Sequence, residues 1–228
     1  MPYAAAFVAL SVACVAVAWP AWLAVGWPAA FPLYAALSSA SLAAAYAGAG
    51  AGLVLKRADG RLSAGSWLLF DPYLLFNGLA FAAYRLASRE PATCRVSAKL
   101  WLGRRLSAGE SAAGGWVSVL DLAAEFAEAP PLRRLPDYLS LPVLDGAAPT
   151  AAQLRRAVAW LAATDGPAYV HYALGHGRSA CVVVAFWLAA GEVGTVAEGE
   201  RRLRALRPGV RLNPAQRRAL QEFAPARM

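Results

Sequence analysis

The run His171-Tyr172-Ala173-Leu174-Gly175-His176-Gly177-Arg178-Ser179 gathers the side chains and backbone freedom best suited to hold a ligand. Gly175 and Gly177 allow positive φ and close backbone approach, so successive amide N–H groups can converge on one point and form a nest for an anion. A helix opening at Ser179 adds the positive end of its dipole. Arg178, at the helix start, carries a planar fork of donors that matches two oxygens of one phosphate, which a lysine does not copy. Ala173, Leu174, Gly175, His176, Gly177 and Arg178 therefore compose a candidate phosphate-binding loop. The plainer alternative is a glycine-rich turn with a solvated arginine, and the apolar strand and helix on either side argue against it.

Other reactive groups have more ordinary expectations. His176 is expected to face solvent from the loop, with ligand contact as the alternative, and His171 to be a hydrogen-bonded imidazole at the end of a buried strand. Cys181, in the first helical turn after Arg178, should point into the core as a structural thiol. Asp145 follows an apolar strand and suits the turn Leu144-Asp-Gly-Ala. Asp121 and Glu125 follow another strand and brace the same face, with no spacing that demands chemistry. Cys14, Cys94 and Cys181 show neither a metal-ligand spacing nor a disulfide framework, and neither a metal nor a nucleotide cofactor is expected.

The elements that must position this loop follow a simple order. Residues 99–106, 116–122, 138–144 and 168–171 read as strands. Thr150 with Gln153 forms a capping-box pattern at the start of a helix that ends near Thr164, with Leu154, Ala157, Val158 and Leu161 on one face. Residues 172–178 are the loop, 179–190 an apolar helix closed by Gly191, and 195–206 a further helix. A last helix covers 215–223 behind the Asn213 cap and Pro214. Strands alternating with helices imply an α/β domain with a parallel, helix-flanked sheet.

With those residues in place, the chain from about Trp101 to Phe223 resembles the dual-specificity and protein-tyrosine phosphatase superfamily. Its signature is His-Cys, five residues, Arg, then Ser or Thr; His171, Arg178 and Ser179 match, and Tyr172 stands where the cysteine belongs. Trp101-Leu-Gly-Arg is similar to the family's first strand, Val119-Leu-Asp-Leu to its second, and Leu141-Pro-Val-Leu-Asp145 to the loop that bears the general acid. The resemblance implies a phosphatase-type, mostly parallel central sheet. It also implies catalytic roles by position: Tyr172 for the nucleophile, Arg178 for the phosphoryl oxygens, Asp145 for the leaving group's proton and Ser179 for release of the covalent intermediate. A thiol of pKa about 8.5 ionises readily at a helix N-terminus. A phenol starts near about 10, and its ring would fill the place of the phosphate, so the usual reaction is expected to be lost.

The rest of the chain lives in another solvent. No Asp, Glu, Lys, Arg or His occurs before Lys56. Residues 4–25 and 29–55 form uncharged tracts of 22 and 27 residues, each long enough to cross roughly 30 Å of hydrocarbon. A secretory signal is disfavoured, because no basic residue precedes the first tract and a second follows at once. Ala44, Gly48 and Gly52 offer a small-residue ridge on which the two spans can pack as a hairpin; a glycine-loosened helix end is the alternative. Residues 66–84 are apolar and aromatic but contain Asp71 and Pro72, so an interfacial helix is favoured over a third span. The basic residues Lys56, Arg57, Arg61, Arg85, Arg89, Arg95 and Lys99 then place the domain on the cytoplasmic side of a multi-pass inner-membrane protein. The expected organisation is a transmembrane pair in 1–55, a basic linker with a membrane helix in 56–94, and a phosphatase-like domain in 95–228.

The net charge of +8 suits apposition to anionic lipid, and the paired arginines are spread along helices and loops rather than arranged for nucleic acid. Three functions remain open. The first is a membrane-tethered pseudophosphatase that binds a phosphorylated protein or a phospholipid headgroup. The second is an active phosphomonoester phosphatase, and the third a structural partner in membrane assembly.

Overall fold

The computed structural model describes residues 2–223. They divide into two compact units, one made of residues up to 56 together with 62–86, the other of 57–61 and the residues from 87 onward.

In the first unit, α1 (Pro2–Val25) and α2 (Ala30–Ala44) are joined by a turn at Gly26, whose φ is +70°, and the short helical turn Trp27–Ala29. They run antiparallel, with the Ser11 hydroxyl on the Ala36 carbonyl at 2.9 Å and Tyr46 stacked on Tyr3 and Phe7 at 5.3 and 5.5 Å. Val12, Trp19 and Leu23 on α1 are 63, 71 and 73 % exposed. Among the described residues two helices, Tyr3–Ala24 and Trp27–Ala49, are long and apolar enough to cross a membrane. Of the two readings of Ala44, Gly48 and Gly52, the loosened helix end is the one present. Regular helix stops at Ala44, the chain widens through Ala45–Ala49 with Gly48 at φ +137°, and Ala51–Val54 is a separate tight turn. Ordering glycine in a helix costs about 1 kcal/mol per residue relative to alanine, and Gly48, Gly50 and Gly52 fall close together. The third apolar stretch is one helix, α3 (Ala64–Ala87), which encloses Asp71 and Pro72 and buries Phe70 and Leu74 against Leu42.

The second unit starts with the short β1 (Thr93–Arg95), β2 (Leu100–Arg104) and the single-turn α4 (Ala108–Ala112). It continues through β3 (Ser118–Ala123), α5 (Pro130–Arg133), β4 (Asp137–Val143), α6 (Ala151–Ala163) and β5 (Ala168–Tyr172). Three helices finish it: α7 (Arg178–Ala189), α8 (Val196–Leu206) and α9 (Pro214–Glu222). The sheet order is β1-β2-β5-β3-β4, parallel throughout except for β1. That antiparallel edge escaped the sequence because three residues, two of them polar, carry no period.

β5 is buried at every position, as a central parallel strand covered on both faces must be. Its register sets Arg104 beside Tyr172 and Asp121 beside His171. The carboxyl ends of β2, β3 and β5 thus lie together, which is where open α/β sheets receive ligands. The strand runs one residue further than the apolar pattern suggested and α7 begins one residue earlier, so the loop proper is 173–177. α6 keeps both hydrogen bonds of its Thr150/Gln153 capping box.

Candidate anion-binding site

The aim of the loop amides is set by what holds the loop carbonyls. Ala173 O accepts the Arg105 N–H at 3.0 Å, and His176 O accepts the Arg211 N–H at 3.1 Å. Leu174 O accepts Nη2 of Arg207 at 3.0 Å. In a planar trans peptide the C=O and the following N–H point to opposite sides. Carbonyls pinned outward therefore turn the amides of Leu174, Gly175 and Gly177 inward. Gly175 sits at φ +78°, where a Cβ would collide with Gly103 O, so the positive φ expected there is present. Gly177 departs from that expectation, with φ −118°. It needs no left-handed freedom; what a side chain there would meet is the Gln216 amide, 3.1 Å from the Cβ position.

The point toward which these amides turn is taken by the protein itself. The Gly177 N–H donates to the Tyr172 phenol oxygen at 3.2 Å, and the Tyr172 ring lies 4.2 Å beneath the Arg178 guanidinium. The Arg178 fork, expected to be open to phosphate, is engaged: Nη1 and Nη2 meet the two Glu125 carboxylate oxygens at 2.9 and 2.6 Å. Nη1 also donates to Val143 O at 2.6 Å and Nη2 to Asp145 at 2.9 Å. Burial disfavours the Arg178 cation, but the Glu125 and Asp145 carboxylates outweigh it and hold the guanidinium protonated above its ordinary range. For Tyr172 the balance runs the other way. Burial pushes the phenol up, and the opposing pull of Arg178 and of the His176 and Gly177 amides does not overcome it.

No family model and no curated protein matches the chain, whereas solved structures do. Tk-PTP in its active form is 23 % identical with a TM-score of 0.52, over 58 % of this chain and 96 % of that one. PTPMT1 in complex with PI(5)P is 19 % identical with a TM-score of 0.52, over 58 % and 94 %. A single-residue variant of human DUSP28 is 24 % identical with a TM-score of 0.51, also over 58 % and 94 %. The second unit has a phosphatase fold.

In this phosphatase fold the sequence-predicted residues converge around the loop, though several have other partners than expected. Asp145 stands in a tight turn closed by Ala147 N–H on Leu144 O, with Gly146 at φ +68°. Its side chain is 57 % exposed while it pairs with Arg178. The Asn213 and Gln216 amides hold that turn by donating to Gly146 O at 2.7 Å and Ala147 O at 3.1 Å, so the capping box of α9 doubles as a bracket. The Ser179 hydroxyl is buried and has no hydrogen-bond partner among the described residues. His176 does not face solvent: its ring pairs with Glu90, because Glu90 is itself fixed beside the loop. Cys181 is buried, as expected, and burial pushes its thiol up to about 12.

Sequence reading missed the role of Glu125 and the presence of Glu90, Glu128 and Arg207. Glu125 is 2 % exposed; a carboxylate directly after an apolar strand was the available signal. His171 lies 2.6 Å from Glu128 and stacks on Tyr169. Asp121 accepts from Tyr138 at 2.7 Å and from Ala123 N–H at 2.9 Å. Where no metal-ligand spacing was legible, Asp121, Glu128 and His171 come together with ligand atoms within 4.8 Å of one another. They are cation-ligand types, here engaged with each other and with neighbouring donors.

Proposed function

We propose that the chain is a membrane-anchored, dual-specificity-phosphatase-like protein that has lost the usual turnover and binds phosphorylated groups, of protein or of phospholipid headgroup, at its 173–178 loop. The observation that carries this reading is Tyr172. A covalent phosphoryl transfer requires an ionised nucleophile, and burial keeps this phenol protonated. The anion-gripping parts are nonetheless assembled: inward amides, a helix N-terminus, and an arginine whose fork is oriented by Glu125. A ligand phosphate would take the place of the phenol oxygen at the amides and of Asp145 at Nη2. Asp145, more than half exposed, has room to swing into solvent, and a rotated Tyr172 ring would open the loop.

Membrane attachment is supported by the two apolar helices of the first unit. The basic residues that flank them in sequence, Lys56 to Lys99, favour a multi-pass inner-membrane protein with the phosphatase fold in the cytoplasm. Phospholipid headgroups gain support as ligands from PTPMT1, a protein of similar fold solved with PI(5)P.

Isothermal titration and amide NMR of the full chain in micelles, with inorganic phosphate, phosphopeptides and phosphoinositides, test the reading. Tyr172→Ala should bind phosphate more tightly than wild type, with shifts at the Gly175 and Gly177 amides. If neither protein binds any of these ligands, the proposal fails.

A further inference from the structure

Of the three outward ties that aim the loop, two come from main-chain N–H groups and one from a side chain, Arg207. Arg207 is 2 % exposed. While one end of its fork holds Leu174 O, the other donates to Pro91 O at 2.8 Å, and Glu90 pairs with it at 2.9 Å. Glu90 at the same time holds the His176 ring and the Gly209 N–H, the latter at 3.3 Å. Gly209 leaves room for this contact, since a Cβ there would stand 2.5 Å from His176 Nε2. Burial by itself would push the Glu90 carboxyl up, yet His176 and Arg207 hold it below its ordinary value. One carboxylate and one guanidinium thus grip loop residues 174 and 176 from outside, and both are fastened to residues 90–91, just beyond the last residue of α3, Ala87.

We propose that Glu90 and Arg207 are positioning residues that latch the anion loop to the segment leaving α3, so that the loop's grip on an anion and the placement of residues 90–91 control one another. Peptide planarity supplies the mechanism. If Arg207 lets go of Leu174 O, the Leu174–Gly175 peptide is free to rotate and the Gly175 N–H leaves the nest. If Glu90 lets go of the His176 ring, residue 176 loses its side-chain anchor, and the Arg211 N–H on His176 O is left to aim the Gly177 N–H by itself. The coupling is reciprocal by linkage: displacing residues 90–91 weakens anion binding, and a bound anion holds residues 90–91 in place. The ligand side of this idea rests on the anion-binding reading above, whereas the geometric side stands without it.

The deciding variant is Glu90→Gln, made in full-length Tyr172→Ala protein in micelles and probed with inorganic phosphate. Simple electrostatics predicts tighter binding, because a negative charge near the anion has been removed. The latch predicts the opposite, at least about fivefold weaker binding, together with faster hydrogen exchange at the Gly175 and Gly177 amides and unchanged exchange in β3. Gly209→Ala, whose methyl presses on the His176 ring, should act in the same direction and serves as the second variant. Tighter or equal phosphate binding, or unchanged exchange at Gly175 and Gly177 in both variants, overturns the latch. Should neither Tyr172→Ala nor wild type bind phosphate, a phosphopeptide or a phosphoinositide, the functional proposal falls, and the exchange rates of the two glycine amides alone decide the latch.

Discussion

Replacing Tyr172 with cysteine should convert the proposed anion loop into a catalyst. In the wild-type protein the phenol starts at pKa about 10, so at pH 7 no more than about one molecule in a thousand carries phenolate. Burial pushes that fraction lower still. A thiol at the same place starts near about 8.5 and, at a helix N-terminus beside an arginine, falls to about 7 or below, so at least about half is thiolate at pH 7. The ratio of ionised nucleophile is therefore about 500 or more in favour of Tyr172→Cys, before the smaller side chain is credited with vacating the space beneath Arg178, where the ring now lies 4.2 Å away. The assay is release of inorganic phosphate from a small aryl phosphate between about pH 5 and 8, with Tyr172→Ala as the control for background. Turnover by Tyr172→Cys should exceed wild type by at least about that ratio and level off once the thiol is ionised. Turnover no greater than that of Tyr172→Ala would refute the claim that the loop is aimed at phosphorus. Turnover by wild type comparable to Tyr172→Cys would refute the claim that the phenol is inert.

Two further outcomes follow from the ion pairs around the loop. Glu125→Gln removes the charge opposite a guanidinium that is almost wholly buried; stability should fall by about 2–4 kcal/mol, seen as a melting temperature lower by about 5–12 °C, and a loss under about 1 kcal/mol would show that Arg178 is hydrated. Glu110 is held down to about 2, chiefly by the Arg104 hydrogen bond and also by those from Ser107. Its contribution is therefore present above its ordinary pKa of about 4.3 and is lost as pH falls toward about 2, so Glu110→Gln should flatten that part of the acid-unfolding curve, and an unchanged curve would count against the pairing.

The extent to which the site could be read in advance depended on whether its parts were local in sequence. The strand-loop-helix unit around Tyr172 was legible, because an apolar run, two glycines and a helix start are neighbours along the chain. The Thr150 and Asn213 caps were legible for the same reason, since a capping box is written in four consecutive residues. The Gly48 break was legible only as one of two readings, because spaced glycines serve equally as a packing ridge and as a loosened helix end, and their spacing does not choose between them. Gly177 misled: it was read as a left-handed position, whereas the constraint there is the nearby Gln216 side chain.

The order of elements, the alternation of apolar strands and helices, and the identity of residue 172 are properties of the sequence alone, since period and spacing encode them directly. Which carboxylates meet Arg178, where the Tyr172 oxygen rests and what holds the loop carbonyls outward were decided only by the tertiary structure. Glu125 lies 53 positions from Arg178 and Pro91 lies 116 from Arg207. At such separations only the packing of whole elements brings the groups together, and a pairing made that way leaves no periodic trace in the residues that make it.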